Sequence, residues 1–575
     1  MNADFQLLSG RTFHPDEANQ AFTAGRLLET GRYEYRPDDH HGPTLYYAAA
    51  ALQKAAGRND LATMDGTLLR CTPLLFAALA LVFAFISIRK LARGSLRAPY
   101  GWLVPAMGAL LLGTSPIFVF FATDFIQEML LACFTMMMLW AGVGYFKVPG
   151  ASCFVPGAKL KHKDGRESNA PSAKIKPGTW ALFFGIAAGL AFATKETSII
   201  SFIAAAIAGW CAWPRCVRPE GPHTQDDCQV VPENGSFVSV APQAQAPAAP
   251  SHAANGKPLA HVPAAPSHAA NGKQLARNRP ESTALQAVLP QAVLLAGLAF
   301  LLTSILLFSS FASNWQGVYN AFIAAPLSYL GRAAGSAASA GAADHVHPWW
   351  QYLKWLFFPG WQFSALPLAA LFLATFRRRS FIHWYALIVF ALYSIIPYKT
   401  PWCALQLLAP LAVAPFAVPW TRIRAFIAFP LVALSLAANA IGCASIARDP
   451  DSKAIPYNYA SASPEVKQLA AVVAAAMDAA MNHEPQATNH APPFIAVALP
   501  PADTWPFPWY NREFEPKTGY WTSFDDLKRL ADGGIKPTVV IVPMAEGHLV
   551  QPLFPHLKNT KRFYMRPGVR VRVFW

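Results

Sequence analysis

Apolar segments long enough to cross a lipid bilayer recur along most of this chain. A helix needs about 20 consecutive apolar residues to cross a hydrocarbon layer about 30 Å thick. Ten segments meet or approach that length: residues 66–88, 101–121, 128–146, 180–194, 197–213, 285–310, 351–376, 381–398, 403–420 and 424–446. The segments at 180–194 and 197–213 are short, so we expect two half-length helices that meet at Lys195-Glu196. The pattern predicts an all-α multi-pass membrane protein with about ten transmembrane helices.

The composition supports a membrane protein and argues against a nucleic-acid-binding protein. Hydrophobic residues make up 54% of the 575 residues and charged residues only 14%, against about 25% charged in soluble domains. The net charge is +15, but 22 of the 47 Lys and Arg lie in connections at 89–97, 147–176, 215–279, 377–379 and 422–424. Cytoplasmic loops carry such an excess of basic residues. We therefore interpret the charge as membrane topology and expect no nucleic-acid partner.

Three regions outside the apolar segments complete the predicted domain organisation. Residues 1–65 form an extracytoplasmic acidic loop with interfacial helices at 18–29 and 43–56, before the first membrane half at 66–213. Residues 214–283 form a cytoplasmic loop whose Ala/Pro/Gln/Ser-rich composition, with a duplication at 248–257 and 264–273, predicts disorder. The second membrane half, 284–446, includes an outer loop at 311–350. Residues 447–575 form a small extracytoplasmic α/β domain, with a helix at 464–481 and strands at 494–499, 538–542 and 569–574.

The acidic loop needs a route to the outer side, because residues 1–12 contain no apolar run. Either the second half of the membrane domain draws it across, or a first helix precedes Met1. We expect the preceding helix. None of the eight cysteines lies in the acidic loop or after Cys443, so the sequence predicts no disulfide framework in the outer parts.

Charged residues at the predicted outer surface are the candidate functional groups. Asp16 and Glu17 follow Pro15, a pattern that also suits an ordinary acidic helix start. Lys195 interrupts an apolar run and Lys399 ends one, although a salt bridge to Glu196, snorkelling or interfacial anchoring would also explain them. A carboxylate with two separated cations suits a reaction between an anionic lipid phosphate and a hydroxyl nucleophile.

Several short motifs occur in a characteristic order. They are His14-Pro15-Asp16-Glu17, Gly31-Arg32-Tyr33-Glu34-Tyr35, Asp39-His40-His41-Gly42-Pro43, Thr194-Lys195-Glu196 and Tyr398-Lys399-Thr400-Pro401-Trp402. The layout resembles the GT-C class of membrane glycosyltransferases, of the protein mannosyltransferase and aminoarabinose transferase type. Within it, the motifs are most similar to a subfamily labelled flippase-activity-associated proteins of archaeal N-glycosylation type.

The resemblance implies roles for individual residues. Asp16 would be the general base, and Glu17 would support it. Donor-phosphate binding would fall to Lys195, Lys399 and Arg332. Residues that would orient sugar or acceptor are Asp39, His40, Glu196, His345 and His347. Trp509 and Arg512 are acceptor-binding candidates on chemical grounds, because an aromatic face beside a guanidinium suits a sugar ring. A divalent metal ion is the one cofactor considered, with Asp16, Glu17 and His347 as ligands, against solvated loop histidines as the alternative. For Trp509 and Arg512, a domain core or a docking face is the alternative.

The resemblance also implies an overall function. We expect a glycosyltransferase, transferring a hexosyl or pentosyl group from a polyprenyl-phosphate sugar to a glycan, lipid or protein acceptor. It would act at the outer face of a bacterial or archaeal plasma membrane, with the lipid bilayer as its other partner. The alternative is a lipid-linked sugar flippase, or a flippase accessory, without transferase activity. No P-loop is present, which disfavours an ATP-driven version.

Overall fold

The computed structural model describes most of the helical part and nearly all of the C-terminal part of the chain. The described residues are 8–37, 41–92, 100–146, 159–161, 167–169, 176–212, 281–328, 345–356, 362–377, 380–418, 422–458, 461–483 and 492–575. The predicted cytoplasmic loop at 214–283 lies almost entirely outside them, as do Asp39, His40 and Arg332.

Helices predominate in the described residues up to Arg448. In chain order they are α1 (Pro15–Thr30), α2 (Thr44–Ala55), α3 (Gly66–Leu91), α4 (Leu103–Gly113), α5 (Pro116–Ala122), α6 (Glu128–Phe146), α7 (Pro177–Phe192), α8 (Ser198–Ala212), α9 (Glu281–Phe308), α10 (Trp315–Tyr319), α11 (Gln351–Leu356), α12 (Gln362–Thr375), α13 (Phe381–Ile395), α14 (Ala404–Val413) and α15 (Arg422–Arg448). A two-stranded sheet of β1 (Lys159–Lys161) and β2 (Glu167–Asn169) lies between α6 and α7.

The prediction of ten membrane spans is not confirmed. Among the described residues, four helices are long and apolar enough to cross a bilayer: Gly66–Leu91, Glu128–Tyr145, Gln291–Phe308 and Ala428–Arg448. The pair α4 and α5, bent by 67°, adds a fifth if it counts as one span. The other apolar helices have 10–17 residues, too short to cross about 30 Å at 1.5 Å per residue. The predicted break at Lys195-Glu196 is confirmed, because α7 ends at Phe192 and α8 begins at Ser198.

The N-terminal segment forms the two helices that the sequence predicts. His14 is the N-cap of α1, where its backbone N–H donates to Glu17 Oε2 at 3.0 Å and its Nδ1 accepts from the Asp16 N–H at 3.2 Å. Gly31 ends α1 with φ at 67°, and its N–H donates to Leu27 O at 2.8 Å. The core beneath α1 and α2 contains Leu45, Tyr46 and Phe125.

The C-terminal part is a small α/β unit, as predicted. Its five-stranded sheet has the order β4 (Thr518–Trp521), β3 (Ile495–Ala498), β5 (Val539–Pro543), β7 (Val569–Phe574), β6 (Thr560–Arg566). β3 runs parallel to β4 and β5, whereas β7 runs antiparallel to β5 and β6. Helix α16 (Glu465–His483) packs on one face and α17 (Phe524–Asp532) on the other. The sequence pattern did not predict β4, a four-residue strand that contains a glycine, or β6, whose first three residues are polar and exposed.

Candidate active site

The two neighbouring carboxylates at the start of α1 have opposite environments. Glu17 is fully buried, whereas the side chain of Asp16 is 47% exposed. Glu17 Oε1 accepts from Arg70 Nε and from the Phe125 N–H, both at 2.9 Å. Its Oε2 accepts from Arg70 Nη2 at 2.8 Å and from the His14 N–H. With four donors, Glu17 has no acceptor position left for a substrate.

Electrostatics strengthens this division. Burial alone would raise the pKa of Glu17, but the guanidinium groups of Arg70 and Arg11 lower it to about 2, so Glu17 stays ionised. Burial, opposed by Asp16 and Glu17, lowers the pKa of His14, which is therefore neutral at pH 7. Because His14 Nδ1 accepts from the Asp16 N–H, its proton lies on Nε2. Paired carboxylates in different environments can take different roles, and Asp16 is the one of the two that is exposed.

Arg70 holds the segment before α1 in place, and the sequence analysis missed it. Its side chain is fully buried on α3 and donates to Leu8 O at 2.9 Å and to Arg11 O at 3.0 Å, in addition to Glu17. The guanidinium also lies over the ring of Phe13, 4.4 Å from its centroid. An unpaired arginine inside an apolar helix is energetically costly. The position of Arg70 within the apolar run 66–88 therefore already indicated that it has an acidic partner.

A small cavity of about 20 Å³ lies beside His14 and Glu17. Arg11, Thr12 and Asp124 line it, together with Trp402 and with residues that lead into the C-terminal domain, Tyr457, Asn458 and Ser461. Arg11 bonds to Asp124 and donates to Thr123 O at 3.0 Å. Among the described residues no acceptor lies within hydrogen-bond distance of Arg11 Nη1 or of Thr12 Oγ1. The cavity therefore offers polar groups of Arg11 and Thr12 to a bound molecule. No sequence motif pointed to these two residues.

Trp402 connects two of the predicted motifs. Its ring lies 6.4 Å from that of His14, and the Lys195 ammonium lies 5.7 Å from the Trp402 ring centroid. Lys195 is buried and ion-paired with Glu128, the first residue of α6, and does not form a salt bridge with its neighbour Glu196. The structure thus brings the start of α1, the break before α8 and the segment after α13 together around one indole.

Lys399 forms a second group with the two predicted histidines. Residues 345–347 run antiparallel to residues 397–399, with the Lys399 N–H donating to His345 O at 2.8 Å and the His347 N–H to Pro397 O at 3.0 Å. The buried Lys399 ammonium donates to Ile396 O and faces His347 O at 3.4 Å. Carbonyl oxygens surround this cation, and no carboxylate of the described residues lies within salt-bridge distance.

Glu196 fixes the acidic loop to the break between α7 and α8. It accepts from Tyr35 Oη and contacts His41 Nδ1 at 3.0 Å. Gly42 lies directly against the same break, because a Cβ there would be 2.2 Å from Ala193 O. The Thr44 N–H donates to that carbonyl at 3.2 Å. These contacts explain the Gly-Pro motif as a close approach of two backbones.

Trp509 and Arg512 lie in the interface between the C-terminal domain and the start of α1. Trp509 is buried, with its ring 5.0 Å from that of Phe13 and the Arg512 guanidinium 4.3 Å above it. Arg512 Nη2 donates to Met64 O at 3.1 Å, and Tyr510 Oη accepts from the Phe13 N–H at 2.8 Å. The contacts fit the docking alternative, while a role of these residues in acceptor binding stays a prediction.

The geometry gives little support to a metal centre. Within the described ranges, no three His, Cys, Asp or Glu side chains are grouped so that they could hold a metal ion. Glu17 already accepts four hydrogen bonds, and His347 belongs to the Lys399 group. We assign no metal ligand.

The architecture matches that of known membrane proteins. The crystal structure of ArnT from Cupriavidus metallidurans bound to undecaprenyl phosphate superposes with a TM-score of 0.57 at 12% identity, covering 100% of this chain and 96% of that chain. The apo state gives 0.56 at 13% identity, covering 100% and 95%. No protein-family model matches the sequence, and neither does any curated protein. The chain therefore shares the fold of ArnT, which supports the predicted resemblance at the level of the fold.

Proposed function

We propose that this protein is an integral-membrane glycosyltransferase that transfers a sugar from a polyprenyl-phosphate carrier to an acceptor hydroxyl. The GT-C fold and the structural similarity to an ArnT that binds undecaprenyl phosphate support the class and the carrier. The observation on which the proposal depends is the difference between the two carboxylates. The Glu17 carboxylate already accepts hydrogen bonds from Arg70 and from two backbone N–H groups. Asp16, by contrast, is exposed at the start of α1 next to His14.

Asp16 acts as the general base. Its carboxylate takes the proton of the acceptor hydroxyl as that oxygen attacks the anomeric carbon of the donor. The bond from the anomeric carbon to the phosphate oxygen breaks on the opposite side, and polyprenyl phosphate leaves with the bonding electron pair. The anomeric configuration inverts, and the proton ends on Asp16.

Lys195 and Lys399 stabilise the charge that develops on the leaving phosphate. Lys195 lies beside Trp402, and Trp402 is three residues after Lys399. Both lysine side chains are buried, where an opposite charge interacts more strongly than in water. Without donor, Glu128 neutralises Lys195, so the phosphate takes over part of that role when it binds. Arg332, Asp39 and His40 stay predicted donor or sugar contacts, as do Glu196, His345 and His347.

The orientation follows from the charge distribution of the sequence. Basic connections lie on one side of the proposed topology, so the Asp16 side and the C-terminal domain are extracytoplasmic. The motif order supports membership of the flippase-activity-associated subfamily within the GT-C class. Both are part of the proposal, as is a hexosyl or pentosyl donor.

Turnover of a radiolabelled polyprenyl-phosphate sugar tests the proposal, in membranes that contain the full-length chain and supply the acceptor. We expect Asp16→Asn to lower turnover about 100-fold or more, the contribution typical of a general base, and to leave donor binding intact. Glu34→Gln is the matched control, because Glu34 is an exposed carboxylate whose one ion pair among the described residues is with Arg36, at 3.6 Å. Unchanged turnover in Asp16→Asn, or donor translocation without sugar transfer, would contradict the proposal and favour the flippase alternative.

A further inference from the structure

Positive charge is concentrated at the end of the chain. The last 18 residues contain six Lys and Arg and no Asp or Glu. They include the β6–β7 hairpin, in which β6 is an edge strand of the sheet. Apolar residues of this hairpin, such as Phe563, Val571 and Val573, face the core below α16. The opposite side carries Arg562, Arg570 and Arg572, which we call the basic face.

The arginines of the basic face repel one another when no anion is bound. Arg562 and Arg572 are direct cross-strand partners, and Arg570 stands opposite Tyr564 on the same side of the hairpin. Like charges directly opposite each other destabilise a strand pair. Among the described residues no carboxylate lies within salt-bridge distance of any of the three, although Arg566 nearby does pair with Asp503 at 2.9 Å. An anion that binds here would remove this repulsion.

Part of the basic face is held in a fixed position before any anion binds. Arg572 Nε donates to Thr560 Oγ1 at 3.0 Å, and its guanidinium lies 5.1 Å from the centroid of the Phe574 ring. The Arg572 side chain also packs on Gly547, where a Cβ would come within 2.6 Å of Arg572 Cδ. Arg562 and Arg570 are exposed beside it. Fixed donors lose less entropy on binding, so this geometry suits an anionic group.

The β6–β7 hairpin is connected to a segment that lines the cavity of the candidate active site. The Ser463 N–H donates to Met565 O, at the end of β6, at 2.7 Å, and Ser461, two residues earlier, lines the cavity that His14 and Trp402 also line. The hairpin is therefore hydrogen-bonded to the segment that contributes Ser461 to the cavity, and His14 of the same cavity is two residues before Asp16.

We propose that the basic face binds carboxylate or phosphate groups of an anionic acceptor glycan and directs its hydroxyl towards Asp16. This inference rests on the proposed function and adds the chemical class of the acceptor. Anionic acceptors fit better than a neutral sugar surface, because two adjacent unpaired arginines offer bidentate hydrogen bonds to carboxylate and phosphate.

Binding of an oligogalacturonate to the full-length protein in nanodiscs of neutral lipid tests the inference without any turnover. The carboxyl-reduced galactose oligomer of the same length is the neutral control probe. We expect Arg562→Gln/Arg570→Gln to weaken oligogalacturonate binding about tenfold or more, as expected from loss of charged hydrogen bonds. The control Lys528→Gln/Lys536→Gln removes the same charge from exposed positions elsewhere in the domain and leaves binding unchanged.

Three results would overturn the inference: equal binding by the two double variants, equal binding of the neutral oligomer, or binding of phosphatidylglycerol vesicles in place of the oligogalacturonate. The last would identify a lipid contact. Asp16→Asn separates this test from the proposed function, because it lowers transfer about 100-fold or more and leaves oligogalacturonate binding intact. Oligogalacturonate binding weakened only in the basic-face variant, with transfer lowered in both variants, supports both proposals.

Discussion

Charged side chains are arranged in opposite ways in the two parts of the molecule. In the helical part, Glu17 and Arg70 are buried and bonded to each other, and so are Lys195 and Glu128. In the C-terminal domain, the arginines of the basic face are accessible and lack a carboxylate partner among the described residues. Burying an ion pair contributes little net stability, whereas removing one partner is expensive. The buried pairs therefore fix positions, and the exposed arginines remain available to a ligand.

The Glu17–Arg70 pair should show the largest effect. Arg70→Met leaves the Glu17 carboxylate buried without its cation and frees the backbone carbonyls that Arg70 caps, so we expect a loss of about 3–5 kcal/mol of unfolding free energy. Thermal unfolding in detergent, followed by tryptophan fluorescence, measures it. Arg58→Met, at an exposed arginine, is the control and should have almost no effect.

The double variant Glu17→Gln/Arg70→Met distinguishes a broken pair from lost packing. It removes both charges, so we expect it to be more stable than Arg70→Met alone. If the double variant is the less stable of the two, Arg70 acts chiefly through its contacts with the carbonyls of residues 8–12. The contrast between buried and exposed charges would then need another explanation.

The comparison also explains what could be predicted from the sequence. Apolar runs and the HPDE start of α1 indicated a helical membrane protein and its acidic loop, because helix length and capping are local properties. Local patterns could not show that Glu17 would accept hydrogen bonds from Arg70, 53 positions away. Nor could they show that Lys195 would pair with Glu128 rather than with its neighbour Glu196. Both pairings depend on how α3, α6 and the break before α8 pack.

Among the described residues only four or five helices have spanning length, fewer than the ten predicted, for a related physical reason. Hydropathy detects apolar runs but not the places where a helix bends or ends within one. The run at 101–121 is divided between α4 and α5, which meet at 67° before Pro116. Apolar helices of 10–17 residues need protein neighbours to bury their ends, which sequence length alone does not reveal.

The Lys195–Glu128 pair should show an intermediate effect that depends on ligand. Glu128→Gln leaves Lys195 buried without its carboxylate, so we expect a lower unfolding temperature without ligand. If the donor phosphate replaces Glu128 as the partner of Lys195, undecaprenyl phosphate should raise the unfolding temperature of Glu128→Gln more than that of the unmodified protein. Differential scanning fluorimetry across a ligand titration measures both.

The control for this titration is Glu128→Gln/Lys195→Met, which removes the cation as well. It should lose the additional stabilisation by undecaprenyl phosphate. Equal ligand-induced shifts in all three proteins would show that Lys195 does not bind the phosphate. The assignment of Lys195 to the donor would then be wrong, although its pairing with Glu128 would stand.

Arg562→Gln should have the smallest effect, with the opposite sign. Because Arg562 faces Arg572 across the strand pair, its removal relieves repulsion, and we expect the unfolding free energy to rise by about 0.2–0.5 kcal/mol at low salt. The gain should shrink at 0.5 M salt, where the Debye length is only a few ångströms. Chemical denaturation at the two salt concentrations measures this change. A loss of more than about 1 kcal/mol would exceed the usual range for a surface position and would make Arg562 a structural residue. A small rise in unfolding free energy together with weaker oligogalacturonate binding would instead mean that Arg562 binds a ligand and slightly destabilises the folded domain.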